Sequence, residues 1–198
     1  MPKLNMENLK NIFRANDGFL KSQEISTRTQ WRHLGKMLKD NSVTKIKRGL
    51  YRLNDISSTW QYAEIANLIP DGILCMYSTW LHYELSVQIP QCFNIAVEKS
   101  RKIVLPDYPP IKLYFWKQEY YELGIDIQII DGFSVRIYDL EKSVCDAVKF
   151  RNKIGMETTA EIIKNYLSRE ERNFTKLMKY ARIMRIEKIM RTYIEIQL

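Results

Sequence analysis

The residues with the most chemical potential in this 198-residue chain crowd into one segment, YDLEKSVCD, from Tyr138 to Asp146. It holds Asp139, Glu141, Lys142 and Asp146, the residue types of a metal-dependent nuclease or nucleotidyl-transfer centre, where carboxylates converge on shared cations. The spacing argues for a plainer role. Glu141 and Lys142 are adjacent and on a strand would point to opposite faces. Asp139 stands just before a helical pattern, where its carboxylate can accept a hydrogen bond from a free backbone N–H and cap the helix. Asp146 follows two helical turns later on the same side, placed to meet a cation or a nearby Lys or Arg. Asp126 and Asp131 lie near strand ends, but the residue two after Asp126 is Gln128, so no Asp-x-Asp pair forms. His82 lies close to Ser78 and Glu84 without the spacing of a triad.

Other chemistries find less support. Cys75, Cys92 and Cys145 are widely spaced and form no CxxC pair, and neither His33 nor His82 completes a zinc-ligand spacing. They read as reduced thiols in a cytoplasmic protein; a zinc site would need the fold to gather all three. There is no glycine-rich phosphate loop and no G-x-S-x-G elbow. No catalysis, cofactor or metal is expected. The start of the chain has no apolar core of a signal peptide, and no apolar run approaches the ~20 residues of a membrane helix.

The elements that must position these residues follow from periodicity. Residues 58–198 read as an α+β body. A helix over TWQYAEIANLI ends at Pro70. The stretch ILCMYSTWLHYELS is either a strand followed by a helix from Ser78 or one buried helix. QCFNIAVE and IKLYFWK are strands, separated by the proline-rich LPDYPP loop. GIDIQIIDGFSVRIYD is a hairpin about Asp131-Gly132, a strong turn signal. From Asp139 onward four helices follow, the first with Leu140, Val144 and Val148 inward. The expectation is a mostly antiparallel sheet with flanking helices and a helical C-terminal tail.

Residues 1–54 differ in charge. Up to Leu53 there are twelve Lys and Arg against four Asp and Glu, which accounts for the whole net charge of +8; the remainder carries 19 of each sign. Such asymmetry points to a polyanion-binding module joined to a neutral body. Asn5–Ala15 is an amphipathic helix with Met6, Leu9, Ile12 and Phe13 recurring at helical spacing. Ser22 begins a short second helix to about Thr27. A third helix, capped by Thr27 or Thr29, turns Trp31, Leu34 and Leu38 inward and Gln30, Arg32, His33, Lys36 and Lys39 outward. VTKIKRGLYRL is then a basic hairpin centred on Lys47-Arg48-Gly49, anchored by Leu50, Tyr51 and Leu53. Three helices followed by a basic hairpin is the order of a winged helix-turn-helix. In that geometry Arg28, Thr29, Gln30, Arg32, His33 and Lys36 reach the groove, and Lys45, Lys47, Arg48 and Arg52 meet phosphates.

The chain resembles the AbiEi family of abortive-infection antitoxins. The resemblance rests on Arg48, Gly49 and Tyr51 of an RG-x-Y wing, on Ser78 of a Ser-x-x-x-x-His segment, and on Tyr138, Asp139, Glu141, Lys142, Ser143 and Asp146 of a YD-x-E-(R/K)-(S/T)-x-x-D segment. Two departures are Trp80, where a small residue is more usual, and His82, one position early. The resemblance implies a transcriptional autorepressor that binds double-stranded DNA at inverted repeats. It also implies a type IV antitoxin whose body counters a nucleotidyltransferase-like toxin without a stable complex. Two other classes stay open: an enzyme using Asp139, Glu141, Lys142 or Asp146, and a protein-interaction module that does not bind DNA.

Overall fold

Helix α1 (Met6–Ala15) forms because Leu9 and Phe13 stack one turn apart and are fully buried. It stops at Asp17 and Gly18, both at positive φ, where the Gly18 N–H closes on the Phe13 carbonyl at 2.7 Å. Strand β1 (Phe19–Lys21), a single 3-10 turn (Ser22–Glu24), helix α2 (Arg28–Lys39) and the hairpin β2 (Val43–Lys47) and β3 (Leu50–Leu53) follow. The three strands form an antiparallel sheet in the order β1-β3-β2. The expected second helix is only that 3-10 turn. Thr27 is extended as the cap of α2, which leaves too few residues to nucleate a helix. Strand β1 escapes a periodicity reading because three residues are too few to alternate.

The hairpin turns at Arg48-Gly49. Gly49 has φ +79, and a Cβ there would lie 2.7 Å from the Ser22 hydroxyl oxygen. The Ser22 N–H donates to the Gly49 carbonyl at 2.8 Å, so glycine is what lets the turn close on the preceding chain. Leu9, Phe13, Leu20, Ile25, Leu34, Met37, Val43, Tyr51 and Leu53 make the core under this sheet.

The computed structural model describes residues 6–54 and 61–197, so the polar linker after Asn54 lies outside the described residues. The chain divides into two compact units. The first reaches Pro70 and takes in Val104–Pro106, so helix α3 (Gln61–Leu68) belongs to it; the second comprises Asp71–Ile103 and the chain from Asp107.

The second unit resolves the ambiguous stretch as a strand and a helix: β4 (Ile73–Leu74), then α4 (Tyr77–His82). Strands β5 (Phe93–Glu98) and β6 (Ile111–Trp116), a short α5 (Gln118–Tyr121) and the hairpin β7 (Ile125–Ile130) and β8 (Phe133–Tyr138) follow. Asp131 and Gly132 both take positive φ at its tip, as the two-residue turn demands. The sheet order is β6-β5-β4-β8-β7. It is mixed rather than mostly antiparallel: β5 pairs parallel with β6 and β4 with β8, whereas β4–β5 and β7–β8 are antiparallel. The connection over residues 99–110 is long enough to carry the chain back and restart in the same direction, and strand patterns do not encode direction.

Helices α6 (Leu140–Ile154), α7 (Met156–Leu167), α8 (Phe174–Ile183) and α9 (Glu187–Gln197) complete the unit. Residues of all four share one core with Ile73, Ala96, Tyr114, Trp116 and Tyr138 of the sheet. The architecture is α+β. Among the described residues no helix is long and apolar enough to cross a membrane.

Candidate nucleic-acid interface and the charged cluster of helix α6

The start of α2 is a reciprocal cap. The Gln30 N–H donates to Thr27 Oγ1 at 3.2 Å, while Gln30 Oε1 accepts from the Thr27 N–H at 3.0 Å and the Ser26 N–H at 2.9 Å. Gln30 is therefore buried and occupied, not on the groove face where its position in the sequence suggests it. The inward face is Leu34 and Met37, with Leu38 half-buried, and Trp31 turns outward at 43% exposure. This corrects the inward placement of Trp31. The T-x-x-Q spacing of Thr27 and Gln30 is the signal that sets the helix phase. The outward face of α2 is Arg28, Trp31, Arg32, Lys36 and Lys39, all exposed, flanked by a half-buried Thr29. His33 is also half-buried, with Nδ1 enclosed and unpartnered.

The hairpin splits its cations into two kinds. Lys45 and Arg48 are both exposed to solvent. Lys47 and Arg52, expected to point at phosphates, are tied to α3 and the residue that ends it. Lys47 Nζ donates to the Leu68 carbonyl at 2.7 Å. Burial, then the Lys21 charge, pulls the Lys47 ammonium below its ordinary range. Arg52 pairs with the buried Glu64 at 2.9 Å. Burial raises the Glu64 carboxyl while Arg52 opposes it.

The segment Tyr138–Asp146 forms the first half of α6. Asp139 caps the helix, its Oδ1 accepting from the Lys142 N–H at 2.8 Å. Its Oδ2 accepts from the Tyr180 hydroxyl at 3.0 Å and lies 3.2 Å from Lys176 Nζ. Glu141 Oε2 lies 3.1 Å from the same ammonium, and its Oε1 accepts from the Asn173 N–H at 3.1 Å. Although burial works against it, Lys176 is held above the ordinary lysine range by Asp139 and Glu141. The Tyr180 phenol is pushed up to about 12 by burial and by Asp139.

One turn on, Lys142 and Asp146 form a fully buried pair at 2.6 Å. The ammonium sits over the Tyr138 ring at 3.8 Å and the Trp116 ring at 4.5 Å. Burial pushes the Asp146 carboxyl up to about 6 against the pull of Lys142. Asp146 Oδ2 and Trp116 Nε1 are buried without partners. The three acids thus do not share one point: Asp139 and Glu141 converge on Lys176 of α8, while Asp146 faces inward to Lys142. The arrangement binds α6 to its neighbours as an ionic lock.

The other motif residues are also engaged. Ser78 Oγ accepts from the Asn94 N–H at 2.9 Å. Trp80 Nε1 donates to the Ser143 carbonyl at 2.9 Å, tying α4 to the first turn of α6. His82 is exposed, edge-on to Tyr83. Cys75 and Cys145 are buried thiols, both raised by burial. Among the described residues no cluster of His, Cys, Asp and Glu is arranged to hold a metal ion.

No family model matches the chain, and no curated protein sequence matches it significantly. The crystal structure of the RV2827C protein from Mycobacterium tuberculosis is similar in fold. It has a TM-score of 0.52 at 8% identity, over 96% of this chain and 79% of that one. At that identity the likeness concerns the fold alone.

Proposed function

We propose that this protein is a DNA-binding transcriptional regulator whose N-terminal unit is a winged helix-turn-helix. On its resemblance to the AbiEi family, it acts as antitoxin and autorepressor of a type IV abortive-infection operon in the cytoplasm. Its functional partner is then a nucleotidyltransferase-like toxin. The observation that carries the reading is the outward face of α2, where Arg28, Arg32, Lys36 and Lys39 flank the exposed Trp31, just before Lys45 and Arg48 of the hairpin. The sheet order β1-β3-β2, with α2 leading directly into the hairpin, supports the same reading.

In this reading α2 enters the major groove and Arg28, Arg32 and Lys36 meet base edges or flanking phosphates, with Thr29 beside them. Lys45 and Arg48 lie along the backbone. Lys47 and Arg52 hold the hairpin to α3 and act on DNA only through its position. The test is binding to a labelled duplex from upstream of the protein's own operon, at two salt concentrations, with unrelated DNA as competitor. Tight binding that resists the competitor is expected. Lys45→Ala with Arg48→Ala should lower the slope of log K against log salt by about 0.9 for each phosphate no longer neutralised, and Lys47→Ala should leave it unchanged. Binding that unrelated DNA removes equally well would overturn the regulator reading.

A further inference from the structure

Although the sequence beyond Leu53 is neutral overall, the second unit gathers positive charge where α8 gives way to α9. Arg182, Arg185, Lys188 and Arg191 line an open concavity of about 420 Å³ together with Glu187. Glu187 holds two of the four cations. Arg182 Nε and Nη2 donate to its two oxygens at 3.0 and 3.3 Å, and Arg191 Nη2 donates at 3.0 Å. The two guanidiniums are thereby aimed before any ligand arrives, which reduces the ordering cost of binding. Hydrogen bonds from Arg182 and then Arg191 hold the Glu187 carboxyl at about 2, so it stays ionised at neutral pH. Four cations against one carboxylate leave the concavity strongly positive.

Arg185 and Lys188 have no ion pair among the described residues. Arg185 sits in the left-handed region at φ +57, just past the end of α8. Its N–H and that of Ile186 close the helix on the carbonyls of Arg182 and Ala181 at 3.0 and 2.8 Å. Glycine or asparagine fills that position with less strain, so the backbone gives no reason for arginine there. The positive field also reaches α6. Lys149 Nζ donates to the Met184 carbonyl at 2.9 Å. Its ammonium is pulled below the ordinary range by burial and then by Arg185, Arg151 and Lys117. Like charges crowded this way repel unless a counter-anion joins them.

The lining offers no aromatic or large apolar side chain on which a base could stack. From these observations we propose that the α8–α9 junction binds phosphate: either a free oligophosphate or the phosphates of a nucleic acid backbone. The site is independent of the DNA-reading role given to α2.

The experiment is calorimetric titration of the full chain with tripolyphosphate, for the natural protein and for Arg185→Ala with Lys188→Ala. Binding is expected in the first and a weakening of at least about tenfold in the second, as charge-assisted hydrogen bonds disappear. Arg185→Asn, which suits the left-handed backbone, should weaken binding in the same direction and guards against a folding defect in the double variant. A parallel salt titration with random-sequence duplex separates the sources. A slope lower by about 1.8, for two phosphates at about 0.9 each, assigns the phosphates to nucleic acid. An unchanged slope with tripolyphosphate binding abolished assigns them to a free oligophosphate. Both titrations unchanged by the substitutions, or no binding of either probe by the natural protein, would overturn the site.

Discussion

Helices α2 and α6 are built from the same charged residue types and use them in opposite ways. On α2 the cations face solvent and the buried face is Gln30, Leu34 and Met37. On α6 every residue from Leu140 to Val148 is buried, Glu141, Lys142 and Asp146 included. The charges of α2 are available to something outside the chain, whereas those of α6 are neutralised within it. A charged residue therefore signals a partner only when no element of the chain already answers it. The same rule divides the hairpin, where Lys45 and Arg48 are open and Lys47 and Arg52 are taken by α3.

The sharpest way to break this contrast is to remove one member of the buried pair. Lys142→Ala leaves Asp146 enclosed without its counter-charge and should destabilise the fold by about 3–5 kcal/mol in urea unfolding. Lys142→Met combined with Asp146→Leu should recover most of that stability, because packed apolar groups replace a desolvated pair. A cost below about 1 kcal/mol for the single change, the worth of an exposed pair, would mean that the pair is not enclosed. The pH dependence has a definite sign. Burial raises Asp146 to about 6, so the folded chain binds that proton more tightly than the unfolded chain does. The contribution of this residue is present at low pH and is lost as pH rises through about 6. Asp146→Asn should flatten that part of the profile of urea midpoint against pH.

A smaller effect is expected at Asp139. Asp139→Ala removes the cap of α6 and one partner of Lys176, for about 1–2 kcal/mol. Duplex binding at matched folded fraction should not change. A fall in DNA affinity with no fall in melting temperature would contradict the structural role of this segment. The smallest stability effect belongs to α2. Trp31→Ala, and Arg32→Ala with Lys36→Ala, should each shift stability by no more than about 0.5 kcal/mol. The double change should lower the salt slope by about 0.9 for each phosphate that α2 then leaves unneutralised. A large drop in stability on replacing Trp31 would place that side chain in the core after all.

Motif residues are easier to locate from the sequence than to interpret. Asp139 as a cap and Asp131-Gly132 as a turn follow from local backbone needs, and both stand as expected. The phase of α2 is also written locally, in Thr27 and Gln30, yet the apolar spacing of Trp31, Leu34 and Leu38 suggests a different face. Hydrophobic period alone fixes a helical stripe to within about one residue, and an aromatic at its margin can fall on either side.

By itself the sequence determined the α+β class, the four C-terminal helices, the β7–β8 hairpin and the concentration of net charge before Leu53. These depend on periodicity, turn chemistry and composition, all of which act over a few residues. Tertiary structure alone decided that β5 and β6 run parallel and that Lys142 meets Asp146 beside Trp116. It also decided that α3 occupies Lys47 and Arg52, and that Arg182, Arg185, Lys188 and Arg191 share one concavity. Direction, partnership and access arise between segments that the chain brings together only on folding. They depend on which surfaces remain when the apolar faces have been buried.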